Sequence, residues 1–190
     1  MKEIVLLASG SGSNVENIIT YFDGHTNIKV SCVLTNRADA LVLKRCKRLG
    51  IPAMYFNRHA FMESNVVLEL LKSLHPALIV LAGFLWKIPE CFVTAFPKQI
   101  INIHPALLPK YGGKGMYGDA VHEAVKNNGE EETGITIHYV NEHYDEGTII
   151  HQEKVTLNSG DSPETIAQKV HALEYDHFPK VIEKLVSNNG

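Results

Sequence analysis

Asn102 and His104 lie two residues apart in the run Ile101-Asn102-Ile103-His104-Pro105. In an extended strand that spacing sets an amide and an imidazole side by side on one face, with Ile101 and Ile103 turned to a core. Pro105 ends the pairing. Held together, two such donors can stabilise a carbonyl oxygen as it gains negative charge, and the imidazole can also carry a proton. His138 shares a predicted strand face with Thr136, opposite Ile135, Ile137 and Tyr139. Asp145 follows in the loop Asn141-Glu142-His143-Tyr144-Asp145-Glu146-Gly147. A carboxylate near an imidazole favours the protonated ring, so contact with Asp145 is expected to raise the pKa of His104. The spacing leaves that contact open, because Asp145-Glu146-Gly147 reads equally well as a hairpin turn.

Ser9-Gly10-Ser11-Gly12-Ser13-Asn14 follows a short apolar run and precedes a helical pattern. Glycine there lets backbone N–H groups at a helix start approach an anion closely. An ordinary turn with a Ser or Asn cap is the plain alternative, but the place beyond a strand's carboxyl end favours phosphate. Val15 stands where a dinucleotide fingerprint needs its third small residue, and no acidic residue ends the second strand. No Gly-Lys-Ser/Thr follows either, so the loop suits a single terminal phosphate. The chain has ten histidines but no His-Glu-x-x-His and no Cys-x-x-Cys. His122, His143, His151, His171 and His177 therefore read as solvated, and no metal is expected.

The elements that must position these groups alternate through the first half. Ile4 to Ala8, Ile28 to Leu34, Ala53 to Phe56, Leu78 to Ala82 and Gln99 to His104 read as strands, apolar enough for burial on both faces. Helical patterns start at Ser13, run from Ala40 to Leu49 before Gly50 and Pro52, run from about His59 to Leu74, and recur around Pro89 to Ala95. Parallel strands with crossover helices are the economical solution. Gly134 to Val140 and Thr148 to Leu157 form an antiparallel hairpin, and a helix with Pro163 at its first position runs from Ser162 to about Val186. The expectation is an α/β fold with a Rossmann-like, mostly parallel twisted sheet, a C-terminal antiparallel hairpin and a long terminal helix.

The composition fits one domain over 1–190: hydrophobic residues make up 45% and charged residues 21% of 190. A net charge of −3 disfavours nucleic acid and anionic membrane as partners. Cys32, Cys46 and Cys91 form no framework, and the longest apolar stretch, Ala77 to Trp86, is too short for a span. A cytoplasmic protein is expected.

Ala8 to Asn14, Leu81-Ala82-Gly83-Phe84, Asn102-Ile103-His104-Pro105-Ala106-Leu107-Leu108-Pro109 and Asp145-Glu146-Gly147 together resemble the glycinamide ribonucleotide formyltransferases, folate-dependent enzymes, over nearly the whole chain. Methionyl-tRNA formyltransferases look similar in the centre but carry a further C-terminal domain, and formyltetrahydrofolate hydrolases an N-terminal one; neither is expected here. The resemblance implies a phosphate-binding half over 1–100 and a folate-binding, catalytic half over 101–190. It implies Asn102, His104 and Asp145 as the catalytic trio, with Gly12, Ser13 and Asn14 on the substrate phosphate and Glu174 and His171 toward the ribose. Arg58, Leu85, Trp86, Lys87, Ile88, Asn102, Asn141, Glu142, His143, Tyr144 and Asp145 would surround the folate. The family usually has Ser where Ala106 stands and Pro-Gly where Gly112-Gly113 stands, and the stretch to Gly118 lacks a histidine common there.

The implied reaction moves the formyl group of 10-formyltetrahydrofolate, the co-substrate, to the amine of glycinamide ribonucleotide in purine biosynthesis, in a monomer or homodimer. Asn102 and a protonated His104 would hold the developing oxyanion while Asp145 keeps His104 charged. The rivals are a formyltransferase for another amine such as a sugar nucleotide, an NADP-binding reductase using Arg37, and a binding module without turnover.

Overall fold

Unbroken apolar sequence builds an inner strand. Ile4, Val5, Leu6, Leu7 and Ala8 are all buried in β1 (Lys2–Ala8), which only a strand covered on both faces allows. The computed structural model describes residues 1–188. β2 (Ile28–Thr35), β3 (Ala53–Tyr55), β4 (Leu78–Leu81) and β5 (Ile100–His104) join β1 in parallel. β6 (Glu132–Tyr139) pairs antiparallel with β5, and β7 (Ile149–Thr156) antiparallel with β6. The sheet order is β3-β2-β1-β4-β5-β6-β7, so the chain reverses direction across the sheet between β1 and β4. Ligand crevices form outside the carboxyl ends of strands at such a reversal.

Alternation along the strands divides the core. Ile4, Leu6 and Ala8 face α1 (Ser13–Tyr21), α2 (Leu41–Leu49) and α7 (Pro163–Asn188), packing with Val15, Val42, Phe178 and Ile182. Val5 and Leu7 face α3 (Arg58–Met62), α4 (Val66–Leu74) and α5 (Glu90–Ala95), packing with Phe61, Leu71 and Phe92. Ser162 caps α7, its Oγ accepting from the Thr165 N–H at 3.2 Å. No described helix is long and apolar enough to cross a membrane.

Two elements depart from the sequence reading. The helix expected from His59 to Leu74 is two helices, α3 and α4. The N–H groups of Glu63 and Ser64 both turn back to the His59 carbonyl, and Asn65 takes a left-handed φ of 56° before α4 starts. Asn and Ser offer the backbone such local alternatives to a helix, and Asn tolerates that φ. The second departure is α6 (Asp119–Asn127), an element the sequence reading lacked, which buries Val121, His122 and Val125 beside α7.

Phe178 is fully buried where α7 meets the sheet. Phe178→Ala is expected to cost about 3–5 kcal/mol, read as a lower urea midpoint; a loss well under 1 kcal/mol would mean that α7 is not held by this packing.

Candidate active site

The loop after β1 is shaped by a steric constraint. Gly12 has φ +75°, and a Cβ there would sit 2.4 Å from Val42 Cγ2, so only glycine fits. α1 then begins with no side-chain cap. Its first-turn N–H groups have no acceptor within the helix, an arrangement able to take an anion. The loop is braced from outside: Arg45 Nε donates to the Ser11 carbonyl at 2.8 Å, and Arg45 and Arg48 both pair with Glu16.

β5 and β6 build the facing wall. Their register sets Asn102 opposite His138 and His104 opposite Thr136. His138 Nδ1 lies 2.9 Å from the Tyr139 carbonyl, which can only accept, so in the neutral ring Nδ1 carries the hydrogen. His138 Nε2 then accepts from Asn102 Nδ2 at 3.1 Å, which leaves one amide N–H of Asn102 for a ligand. His104 Nε2 donates to the Tyr111 carbonyl at 2.7 Å.

Asp145 does reach this pair. Its Oδ2 lies 3.6 Å from His104 Nδ1 and its Oδ1 3.6 Å from His138 Nε2, while Gly113 N–H donates to Oδ2 at 2.9 Å. A Cβ on Gly147 would stand 1.6 Å from the Tyr139 carbonyl oxygen, so the Asp145 loop can return this tightly to β6 only through glycine. The glycine-rich stretch from Gly113 to Gly118 lines the cavity and so closes on the same carboxylate.

Burial corrects one expectation. Desolvation is the largest influence on His104 and lowers its pKa, outweighing the opposite pulls of Asp145 and the Tyr111 carbonyl. Desolvation pushes Asp145 upward, but His138, His104 and the Gly113 N–H together leave its pKa below the ordinary value. Near neutral pH the pair is therefore an anionic Asp145 beside a neutral His104, not the imidazolium that proximity alone suggests.

α7 supplies the third wall. Glu174 is 5% exposed, and both Asn14 Nδ2 and His171 Nδ1 meet its Oε2 at 2.9 Å, leaving Oε1 free of either bond. That hydrogen bond is the main reason the His171 pKa is raised. His122, read as solvated from the sequence, is buried in this wall; desolvation first, and then the charge of His171, lowers its pKa. His122 Nδ1 and Asn14 Oδ1 are buried without a hydrogen-bond partner, as polar atoms facing a polar ligand would be.

These walls enclose a cavity of about 590 Å³. Of the residues singled out in the sequence it gathers Gly12, Ser13, Asn14, Leu85, Asn102, His104, Tyr144, Asp145, His171 and Glu174. Others lie outside its lining. Arg58 sits over the Trp86 ring at 5.7 Å, Lys87 Nζ is 5.9 Å from the Tyr144 ring, and Ile88 is buried in the core. Asn141 caps the His143 N–H at 3.0 Å, and Glu142 and His143 are exposed. A groove between α4 and α5 is larger, about 960 Å³, but it is more open, and its Lys72, His75, Glu90 and Cys91 are all exposed. His122 is the residue the sequence reading missed, together with its helix; Val121 and Val125 one turn apart, after Asp119, were the available signal.

Residues 2–182 match the Formyl transferase family. The chain is 38% identical over 188 residues to the phosphoribosylglycinamide formyltransferase of Haemophilus influenzae, covering 96% of this chain and 86% of that one. It is 35% identical to that of Bacillus subtilis, covering 100% and 97%. Against the chloroplastic enzyme of Arabidopsis thaliana the identity is 38%, and the chain spans 64% of that protein's length. The crystal structure of phosphoribosylglycinamide formyltransferase from Anaplasma phagocytophilum superposes with a TM-score of 0.89 at 33% identity, covering 98% of this chain and 88% of that one.

His104 and His122 have pKa values held below 6.5, so the unfolded chain binds protons at a higher pH than the folded one. The stability they contribute is complete above 6.5 and is lost as pH falls through the lowered folded values. His122→Asn is expected to flatten the decline of the thermal midpoint between about pH 7 and pH 5. An unchanged slope would show that His122 is not buried in its neutral form.

Proposed function

The chain belongs to the formyl transferase family, and we propose that it transfers the formyl group of 10-formyltetrahydrofolate to the amino group of glycinamide ribonucleotide. The products are formylglycinamide ribonucleotide and tetrahydrofolate, in de novo purine biosynthesis. The observation that carries this reading is that the anion cradle at α1 and the Asn102, His104 and Asp145 set open into one cavity.

In this reading the backbone of Gly12, Ser13 and Asn14 holds the substrate phosphate, and Glu174 with His171 holds the ribose. Leu85, Tyr144 and the segments around them, Trp86 to Ile88 and Asn141 to His143, with Arg58, flank the folate. The amine attacks the formyl carbon, forming a C–N bond and placing negative charge on the former carbonyl oxygen. The spare N–H of Asn102 meets that oxygen, a kind of contact worth about 3–4 kcal/mol.

His104 starts neutral, with an acceptor against each ring nitrogen: the Tyr111 carbonyl on Nε2 and Asp145 on Nδ1. Only the protonated ring satisfies both, so the ring takes up the proton that the attacking amine loses, relayed by water and Asp145, as oxyanion charge builds beside it. The same proton then passes back through Asp145 and water to the leaving folate nitrogen as its C–N bond breaks. The phosphate cradle fixes the amine near the formyl carbon. Net charge and the buried thiols of Cys32 and Cys46 support a cytoplasmic protein acting on small molecules, as a monomer or homodimer, without nucleic-acid or membrane partners.

The test is absorbance-monitored release of deformylated folate from a 10-formylfolate analogue, with and without glycinamide ribonucleotide. Release only with that amine is expected; release without any amine would make the protein a hydrolase, and none in either case would sink the proposal. Asp145→Asn is expected to lower kcat by about 100-fold or more with little change in KM; unaltered kcat would remove Asp145 from the proton path. Gly12→Ala should instead raise KM for the phosphorylated substrate, and an unchanged KM would refute the cradle.

A further inference from the structure

On the face of the sheet that α7 covers, β6 contributes Ile135 and Ile137, both fully buried. The register of β7 sets Glu153 beside Ile135 and His151 beside Ile137, so an imidazole and a carboxylate continue an apolar row at the sheet edge. α7 meets them with His177, the residue before the buried Phe178. His151 Nε2 and His177 Nδ1 stand 3.2 Å apart with their rings stacked at 21°, and Glu153 Oε2 is 3.9 Å from each of these nitrogens. All three side chains are partly buried and partly open to solvent.

Three donor atoms therefore converge on one point from two elements. For an ion with ligand bonds of about 2.0–2.1 Å, tetrahedral geometry separates neighbouring ligand atoms by about 3.3 Å. The two nitrogens already have that spacing, and the carboxylate needs to swing inward by about half an ångström. Two imidazoles and one carboxylate suit a borderline divalent ion such as zinc or cobalt, with solvent completing the shell. Asp176 Oδ2 lies 3.4 Å from His177 Nε2, the ring nitrogen turned away from the cluster. A carboxylate in that position favours the tautomer whose Nδ1 carries a lone pair, which accepts from His151 Nε2 and which an ion would take in place of that hydrogen bond.

We propose that His151, Glu153 and His177 form a binding site for one divalent transition-metal ion, which clamps α7 to the edge strand β7. The site stands apart from formyl transfer: none of the three lines the substrate cavity. Its reach into function is mechanical, because His177 lies one turn from Glu174 on the same helix. The ion ties that turn to the sheet where the apolar seam gives out. The sequence reading took His151 and His177 as solvated; in the structure both are partly buried and their rings meet.

The test uses untagged protein freed of metal with a chelator, titrated with zinc by calorimetry and with cobalt by visible absorption. One zinc per chain should bind saturably and raise the thermal midpoint, and cobalt should show the intense visible bands of a tetrahedral site. His151→Ala and His177→Ala should each weaken binding by at least about tenfold, and Glu153→Gln should weaken it too. His104→Asn should leave it unchanged. Absence of saturable binding, or binding that survives both histidine substitutions, or binding that His104→Asn abolishes would each overturn the proposal.

Discussion

Parallel pairing of β1, β4 and β5 sets Leu7, Leu81 and Asn102 in one row across the sheet. The chemistry of the substrate cavity depends on that row. The loops leaving β1 and β4 and the end of β5 all emerge at one edge, so the start of α1 and the Asn102–His104 pair face the same space. The reversal of strand order between β1 and β4 opens that space, since successive crossovers leave in opposite directions. A slip of one residue in β5 would turn Asn102 and His104 into the core and expose Ile101 and Ile103.

Within this frame the electrostatic balance is set by burial more than by pairing. His104 has an anionic neighbour at 3.6 Å and is still held toward its neutral form, because its own ring is buried. Asp145 keeps its charge: the Gly113 N–H donates to it, and a proton on either neighbouring imidazole favours the carboxylate further. The resting site is thus negatively biased and short of a proton, and charge appearing on a bound oxygen would change the balance at once. The buried Asn14–Glu174 bond has a similar character: it positions a carboxylate and leaves polar atoms of the same wall unpartnered.

Much of this was legible in the sequence because its determinants are local. Period-two and unbroken apolar runs marked all seven strands within a residue or two, and the Asn-x-His spacing fixed which side chains share a face. The break at Asn65 escaped because apolar residues on both sides keep helical spacing, and only the left-handed φ reveals the turn. α6 was lost among the glycines before it, and with it His122. Whether Asp145 met His104 was undecidable from spacing, since their contact depends on how the loop before Gly147 folds back on β6. The direction of the His104 pKa shift was misread for the same kind of reason: proximity can be guessed from a chain, but solvent exclusion is a property of the assembled walls. His151 and His177 looked unrelated because 26 residues separate them and only the docking of α7 brings their rings together.

The Asn14–Glu174 hydrogen bond spans 160 positions of the chain. The cavity therefore closes only when the first helix and the last have both docked, which makes ligand binding a reporter of completed folding. A chain whose terminal helix has peeled away keeps most of its sheet but loses a wall of the site. Substrate that binds only the closed form draws the population toward it in proportion to its concentration over its dissociation constant. Starved of substrate, the helix is freer to open, and exposure to proteolysis would follow metabolic supply.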